Sequence, residues 1–397
     1  MTRRLPFLFM NVGHFLDHYF LLIFPTAVVV LEAEGAGRYG DLLLPGTLAY
    51  VAFAAGTLPA GWLGDRLSRS TLMAAMFCGL GLSSLLAGLS GGGVWFLAGL
   101  TGIGLFAAIY HPVGIAMVAD GAAGGTGRAL GVNGIWGNMG VAAAPLTTGL
   151  LASTWGWQSA FVVPGVVSLV VGLAYLALVP AVPPRRKAAA GQAEESYDRS
   201  DQRRVFAYLA ASAVAGGIVF SVTTVVLPKL MEEKLADAAV GVVGAAGVAT
   251  LIFAAAAFAQ AFTGAAVDRV APRRLVWRLS LAQIPFLLLL TMAAGWASVP
   301  LALALMLAVF GIIPIQDTLV ARYTPQAWRA RVYALKSFAG LGVSATAIPL
   351  IAWLHEPGGG FSMLLVALAV CAGAFAAAAL ILPGHRPAAA VVRAAAE

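Results

Sequence analysis

Residues 7–31 read FLFMNVGHFLDHYFLLIFPTAVVVL, and this stretch decides how the rest of the chain is interpreted. It is apolar, and it exceeds the about 20 residues that a helix needs to cross the hydrocarbon core of a bilayer. It nevertheless carries four polar side chains, Asn11, His14, Asp17 and His18. A charge at the bilayer centre costs about 2.5–3.5 kcal/mol on insertion scales, so these groups are expected to face protein or water and not lipid.

On a helix, the polar residues of this stretch share one face. Asn11, His14 and His18 follow the spacing i, i+3, i+7, and Asp17 lies beside them. We interpret this face as the working surface of a transporter, because ionisable groups inside a membrane segment generally mark a transport path. The alternative is a helix–helix contact in which these side chains only hydrogen-bond their neighbours. That alternative accounts for Asn11 and one histidine more readily than for all four groups.

The composition of the whole chain fits a multi-pass membrane protein. Of its 397 residues, 60% are hydrophobic and 10% are charged, which is too apolar for a soluble globular protein. The net charge of +7 does not indicate nucleic-acid binding, because the basic residues lie between apolar runs and not on one face. The apolar runs predict an all-α protein of twelve transmembrane helices, at residues 6–31, 42–64, 71–90, 94–119, 129–152, 158–180, 205–230, 240–265, 275–295, 299–321, 332–354 and 361–383.

The basic residues predict the orientation of these helices. If the N-terminus is cytoplasmic, all but three of the 24 Lys and Arg residues lie in cytoplasmic segments, the exceptions being Arg38, Lys229 and Lys234. The opposite loops carry acidic residues, among them Glu32 and Glu232. This asymmetry predicts that both termini are cytoplasmic. It is the pattern expected in a plasma membrane, here the inner membrane of a bacterium.

The sequence also indicates two halves joined by a polar segment. Residues 181–204 form the longest polar stretch and read as a cytoplasmic linker. This linker would separate an N-terminal six-helix bundle, residues 1–180, from a C-terminal six-helix bundle, residues 205–397. One motif recurs 203 positions later, with Gly61, Asp65 and Arg66 reappearing as Gly264, Asp268 and Arg269. Such duplication is common in transporters, whose substrate sites lie near the midplane between the repeats.

The loop after the second predicted helix carries a pattern of known meaning. Residues 61–69 read GWLGDRLSR and resemble the signature loop of the major facilitator superfamily, G-x-L-x-D-R-x-G-R-[KR], from which Ser68 and Ser70 depart. The resemblance covers the whole chain through helix count, duplication and topology, and it implies two pseudo-symmetric six-helix bundles. In that superfamily the loop latches the outward-facing state. This implies gating roles for Gly61, Asp65, Arg66, Arg69, Asp120, Arg128, Asp268 and Arg269.

The alternative for these gating residues is a set of ordinary surface salt bridges, which contribute little when exposed. The fifth predicted helix carries a second pattern, formed by Gly131, Gly140, Pro145 and Gly149. It resembles the antiporter motif of the superfamily, G-x8-G-x3-G-P-x2-G-G, with Ala144 and Thr148 in place of two glycines. In the superfamily this motif accompanies export. Helix packing through small residues is the alternative explanation.

Two short motifs resemble the fosmidomycin-resistance branch of the superfamily, whose members export drugs or organic anions in exchange for protons. They are Gly13-His14-x-x-Asp17 in the first helix and His111-Pro112-x-Gly114 in the fourth. The resemblance implies transport roles for His14, Asp17 and His111. His18 is an addition to the pattern of the branch.

The tenth predicted helix adds a carboxylate from the second half of the chain. Subtracting the offset of 203 carries Asp317 to position 114, within one helical turn of His111. Each half then presents an ionisable group at similar depth, and a carboxylate–histidine set can load and release protons. The alternative for Asp317 is a salt bridge with Arg322. Lys336, at the inner end of the eleventh helix, is expected to extend to the lipid headgroups. The alternative is that it attracts an anionic substrate.

The sequence therefore predicts a proton-coupled antiporter that exports a small organic solute, anionic or drug-like, by alternating access. The residues expected to handle protons or substrate are Asn11, His14, Asp17, His18, His111 and Asp317. One alternative is a divalent transition-metal exporter with His14, Asp17 and His18 as ligands, because imidazole suits zinc, iron or nickel. Another is a membrane receptor or lipid-interacting protein that has the same fold and does not transport.

An enzyme is not expected, because the sequence offers no nucleophile–base set and no cofactor-binding loop. We accordingly expect no cofactor and, under the leading hypothesis, no bound metal. The expected partners are a small-molecule substrate, protons and the lipid bilayer, without nucleic acid. The protein is expected to act as a monomer.

Overall fold

A computed structural model describes residues 4–121, 126–180, 198–267, 269–324, 326–355 and 360–384. Regular structure in these residues is helical, as expected where backbone groups have no water to bond and must pair within their own segment. The first group of helices comprises α1 (Arg4–Ala33), α2 (Tyr39–Leu43), α3 (Thr47–Gly64), α4 (Arg69–Leu89), α5 (Gly93–Ala107), α6 (Ile115–Gly121), α7 (Thr126–Trp155) and α8 (Ser159–Leu178). The second group comprises α9 (Arg199–Lys234), α10 (Gly241–Ala257), α11 (Ala259–Ala266), α12 (Pro272–Met292), α13 (Ser298–Tyr323), α14 (Gln326–His355) and α15 (Ser362–Ala379).

Eleven helical segments among the described residues are long and apolar enough to cross a membrane. A twelfth long helix, α7, has 30 residues, but Asn133, Asn138 and several threonines and glycines dilute its apolar content. The predicted all-α fold is thus confirmed, with eleven to twelve spanning helices. Helix α9 begins at Arg199, so the last residues of the predicted linker are helical, whereas residues 181–197 lie outside the described part.

Two spanning segments are interrupted at prolines. A 3₁₀ turn at Leu44–Gly46, which contains Pro45, separates α2 from α3. A π-helical segment, Tyr110–Gly114, separates α5 from α6 and contains Pro112. Proline lacks the backbone N–H that would continue the helical ladder, and π-helical turns occur frequently at functional sites.

Helix α1 also contains a proline, Pro25. Proline cannot donate to the carbonyl four residues before it, which here belongs to Leu21. The hydroxyl of Tyr50 on α3 donates to the Leu21 carbonyl oxygen at 3.3 Å and satisfies it. A neighbouring helix therefore supports α1 at the point where its own hydrogen-bond ladder is broken.

The helices pack most extensively within each group, α1 on α7 and α4 on α8 in the first, α12 on α15 and α9 on α14 in the second. The two groups meet where α7 packs on α10 and α3 packs on α14. We call the end of the molecule that carries Ala33, Tyr39, Lys234 and His355 the outer end. The charge pattern of the sequence predicts that this end lies outside the cytoplasm.

Glycine permits the closest approach between α1 and α7. A Cβ atom at Gly140 of α7 would overlap the backbone carbonyl oxygen of Phe15, which is fixed and cannot move aside. By contrast, a Cβ atom at Gly131 of the same helix would meet no atom within 4 Å. The two positions therefore form a matched pair on one helix.

We expect Gly140→Ala to destabilise the protein by about 1–3 kcal/mol through overpacking. Gly131→Ala should be neutral or stabilising, because alanine gains about 0.8–1.0 kcal/mol over glycine in a helix interior. Thermal unfolding of the purified variants in detergent measures both. Equal melting temperatures for the two variants would contradict the close contact between α1 and α7.

Candidate functional site

Four ionisable side chains converge in the first group of helices. His14, Asp17 and His18 come from α1, and His111 comes from the π-helical segment that faces it. One nitrogen or oxygen atom from each of the four lies within 4.8 Å of the others. Asp17 is 0% exposed and His14 is buried, whereas His18 and His111 are partly exposed. The cluster is thus reached from the side of His18 and His111.

The carboxylate of Asp17 has little direct support from hydrogen-bond donors. His111 Nε2 lies 3.1 Å from Asp17 Oδ2. Within the described residues, neither oxygen of Asp17 accepts a hydrogen bond of good geometry. Burying an ionised carboxylate without such partners is costly, so a bound proton or cation would stabilise this arrangement.

The orientation of His14 follows from a backbone contact. Its Nδ1 lies 2.8 Å from the carbonyl oxygen of Asn133 on α7. A carbonyl only accepts, so Nδ1 carries the hydrogen and Nε2 keeps its lone pair. The ring stacks on Tyr110, with centroids 4.7 Å apart. Gly137 leaves the space for it, since a Cβ atom there would lie 2.7 Å from His14 Nε2.

A buried hydrogen-bond network holds this region together. Tyr110 donates its hydroxyl hydrogen to the Met10 carbonyl oxygen at 2.8 Å. Asn133 donates from Nδ2 to the Tyr110 hydroxyl at 2.7 Å and to Asn11 Oδ1 at 3.0 Å. Asn11 therefore supports the network and lies outside the four-residue cluster. The sequence analysis missed Asn133 and Tyr110, although a buried asparagine in an apolar helix was a usable signal.

The second group of helices contributes Asp317, but not to the cluster itself. Asp317 pairs with Lys336 of α14, whose Nζ lies 2.5 Å from Oδ1. The expectation that Lys336 extends to the headgroups is therefore wrong, because a carboxylate on α13 holds its ammonium group. Helix α14 also contacts the π-helical segment that carries His111.

The loop between α3 and α4 contains the first set of gating candidates. Arg69 Nη1 donates to Asp120 Oδ2 at 2.9 Å, and Arg69 Nε donates to the Gly64 carbonyl oxygen at 3.4 Å. The Arg66 guanidinium lies 3.7 Å from the centre of the Trp62 ring. Asp65 is exposed at the C-terminal end of α3. Arg69 is thus the residue that links this loop to the end of the fourth spanning segment.

The duplicated glycines occupy equivalent places. A Cβ atom at Gly61 would lie 3.5 Å from Pro112, and one at Gly264 would lie 3.8 Å from Pro314. Each glycine therefore faces a proline of a neighbouring spanning segment, Pro112 in the π-helical segment and Pro314 inside α13. Arg269 is exposed in the turn after α11. Asp268 and the side chain of Arg128 lie outside the described residues.

The four residues of the antiporter-like motif lie along α7 with different surroundings. Gly140 faces Phe15 of α1, as described above, and Gly131 faces open space. A Cβ atom at Gly149 would lie 3.2 Å from Ala246 of α10, so this glycine lies where the two groups of helices meet. Pro145 is inside the helix. The motif thus follows the contacts of α7 with both α1 and α10.

The protein is a bundle of apolar spanning helices with an ionisable cluster buried beside the junction of its two groups. These features are typical of membrane transporters. The family model of the Major Facilitator Superfamily matches residues 12–340, and the chain belongs to this superfamily. The family and its structural relatives indicate a transporter and not an enzyme. No curated protein is a significant match to the sequence.

Solved structures show the same fold at low sequence identity. One is a bacterial homolog of the human lysosomal transporter Spinster, in an inward-facing and unoccupied conformation. It is 15% identical, with a TM-score of 0.71 over 96% of this chain and 95% of the other. A D-xylose–proton symporter is 16% identical, with a TM-score of 0.75 over 95% of this chain and 97% of the other.

Asn133→Ala should destabilise the protein by about 1–3 kcal/mol, because it takes the donor away from the buried Asn11 Oδ1 and leaves the Tyr110 hydroxyl with only its bond to Met10. Tyr110→Phe removes only the hydroxyl and should have a smaller effect. Thermal unfolding in detergent ranks the two variants against the native protein. A larger loss for Tyr110→Phe would contradict the central place of Asn133 in the network.

Proposed function

We propose that this chain is a proton-coupled antiporter that exports a small organic solute, anionic or drug-like, across the plasma membrane. The observation that most directly supports this proposal is the buried cluster of Asp17 with His14, His18 and His111. A carboxylate among imidazoles is suited to take up and release protons near neutral pH. The resemblance of its two short motifs to the fosmidomycin-resistance branch supports export in exchange for protons.

In this proposal, residues 1–180 and 205–397 act as two bundles that rock against each other. Protons load at Asp17 and its histidines when the cluster is open to one side, and they leave when it is open to the other. Lys336 lies across the junction, paired with Asp317, and offers its positive charge to an anionic solute when this pair opens. Proton and solute occupy the central region in turn, which couples their movements in opposite directions. Both termini are cytoplasmic in this arrangement.

The experiment uses everted membrane vesicles with an acidified interior and a pH-sensitive dye. Fosmidomycin, a phosphonate anion, is added outside together with a panel of organic anions and cations. An accepted solute should release protons from vesicles that contain the native protein. Asp17→Asn should lower the initial rate by at least about ten-fold, because an amide cannot take up the proton that general acid–base groups carry.

The matched control is Asp41→Asn, which removes a carboxylate from an exposed pair with Arg38. Exposed pairs contribute little, so this variant should keep the native rate of proton release. Proton release by Asp17→Asn at the native rate would refute the role of the cluster in coupling.

A second candidate function, export of a divalent transition-metal ion, is favoured by one observation. His111 completes a set of three imidazoles and a carboxylate, and this donor set suits zinc, iron or nickel. Histidines that bind metals almost always donate their second ring hydrogen to a carbonyl or carboxylate. His14 has this arrangement through Asn133. The sequence analysis took all three metal ligands from one helix, and His111 adds a donor from the segment that faces it.

Calorimetric titration of the purified protein with Zn²⁺ alone tests this candidate. One ion per chain should bind, and His111→Ala should weaken binding by about 10–100-fold, as loss of a ligand or its support does. His355→Ala is the control, since this histidine lies at the outer end, beside Glu233, and is not part of the cluster. Zinc binding that is insensitive to His111 would remove the candidate and leave the proton-coupled proposal intact.

A further inference from the structure

A second cluster of charges lies at the outer end and is separate from the central site. Lys229 of α9 has its Nζ 2.6 Å from Glu32 Oε2, 2.6 Å from Glu232 Oε2 and 3.6 Å from Glu233 Oε1. The Lys229 side chain is only 9% exposed. Glu32 belongs to α1 in the first group of helices, whereas the other three residues belong to α9 in the second. The ammonium group therefore joins the two groups.

We propose that Lys229 is a positioning residue for transport, which holds the outer end closed by joining α1 to α9. The proposal goes beyond the central cluster and does not depend on the identity of the transported solute. Every transport cycle must separate the two groups at this end to admit or release a solute on that side. The contacts of Lys229 are among those that must break.

The surroundings of Lys229 extend the closure to two further helices. His355 Nε2, at the end of α14, lies 2.8 Å from Glu233 Oε1. The backbone N–H of Tyr39 in α2 donates to Glu32 Oε1 at 3.0 Å. The rings of Tyr39 and His355 lie 5.2 Å apart, edge to face. The charged groups and aromatic rings thus connect α1, α2, α9 and α14 in one cluster.

The balance of charge makes the lysine indispensable to this arrangement. Three carboxylates surround one ammonium group, so removal of Lys229 would leave like charges facing each other between α1 and α9. The three carboxylates are 24–28% exposed, so water would weaken their repulsion, but no positive charge of a lysine would balance it. An ordinary exposed salt bridge contributes little, but this group is nearly buried and shared among several partners.

Uncharged contacts close the same end behind the cluster. A Cβ atom at Gly46, just before α3, would lie 3.0 Å from Ile348 of α14. The backbone N–H of Leu146 on α7 donates to Thr250 Oγ1 on α10 at 3.1 Å. Ile348 is 0% exposed and lies seven residues before His355. It would become accessible if the outer end opened.

The experiment measures access to position 348 in the purified protein. Cys78 and Cys371 are replaced by serine, Ile348→Cys is introduced, and the rate of reaction with a water-soluble maleimide is recorded. Lys229→Gln should raise that rate by about ten-fold or more, because the equilibrium between closed and open shifts toward open. Lys229→Arg, which keeps the charge, should react at the native rate.

Two further variants separate gating from loss of folding. In the Lys229→Gln background, Glu32→Gln removes a repelling carboxylate and should bring the labelling rate back toward the native value. If Lys229→Gln does not fold, Glu32→Gln alone is the test. It keeps Lys229 with its two partners on α9, removes the link to α1 and should raise the labelling rate. Thermal unfolding confirms that each variant is folded. Native labelling rates in folded Lys229→Gln or Glu32→Gln would overturn the proposal.

Discussion

Asp17 is wholly buried in a helix that crosses an apolar bundle, and the surrounding side chains reflect the need to accommodate its carboxylate. No lysine or arginine pairs with it among the described residues, and three imidazoles lie around it. A permanent cation beside Asp17 would fix its charge, whereas an imidazole can hold or release a proton. Under the proton-coupled proposal, the cluster changes its charge during the cycle while it stays within the membrane.

This cluster needs rigid support, because a shift of one ring would separate the four groups. The support comes from α7, whose Asn133 binds the ring of His14 and also fixes Tyr110. Helix α7 can do so only because Gly140 and Gly137 bring it close to α1. Gly140, a residue of the antiporter-like motif, thus serves the geometry of the ionisable site as well as helix packing.

Much of the fold could be predicted from the sequence, because apolar runs of the right length have few alternatives in a membrane. The π-helical segment at Tyr110–Gly114 was harder to predict, since Pro112 indicated a local break in the helix but not the form of that break. For the site, helical spacing placed His14, Asp17 and His18 together, and a family resemblance added His111. Contacts between distant helices, such as Asn133 with His14 or Lys336 with Asp317, depend on packing that no local pattern encodes.

The central cluster around Asp17 and the charged cluster at the outer end share helix α1. Asp17 and Glu32 are separated by 15 residues of α1, or about 22 Å at the rise of an α-helix. Between them lies Pro25, where the ladder is broken and Tyr50 of α3 supports the free carbonyl of Leu21. A movement of α1 that follows a change of charge at Asp17 must pass this supported break to reach Glu32. In the proposed cycle, the stiffness of α1 at Pro25 would therefore set how strongly a change at the central cluster acts on the proposed closure at the outer end.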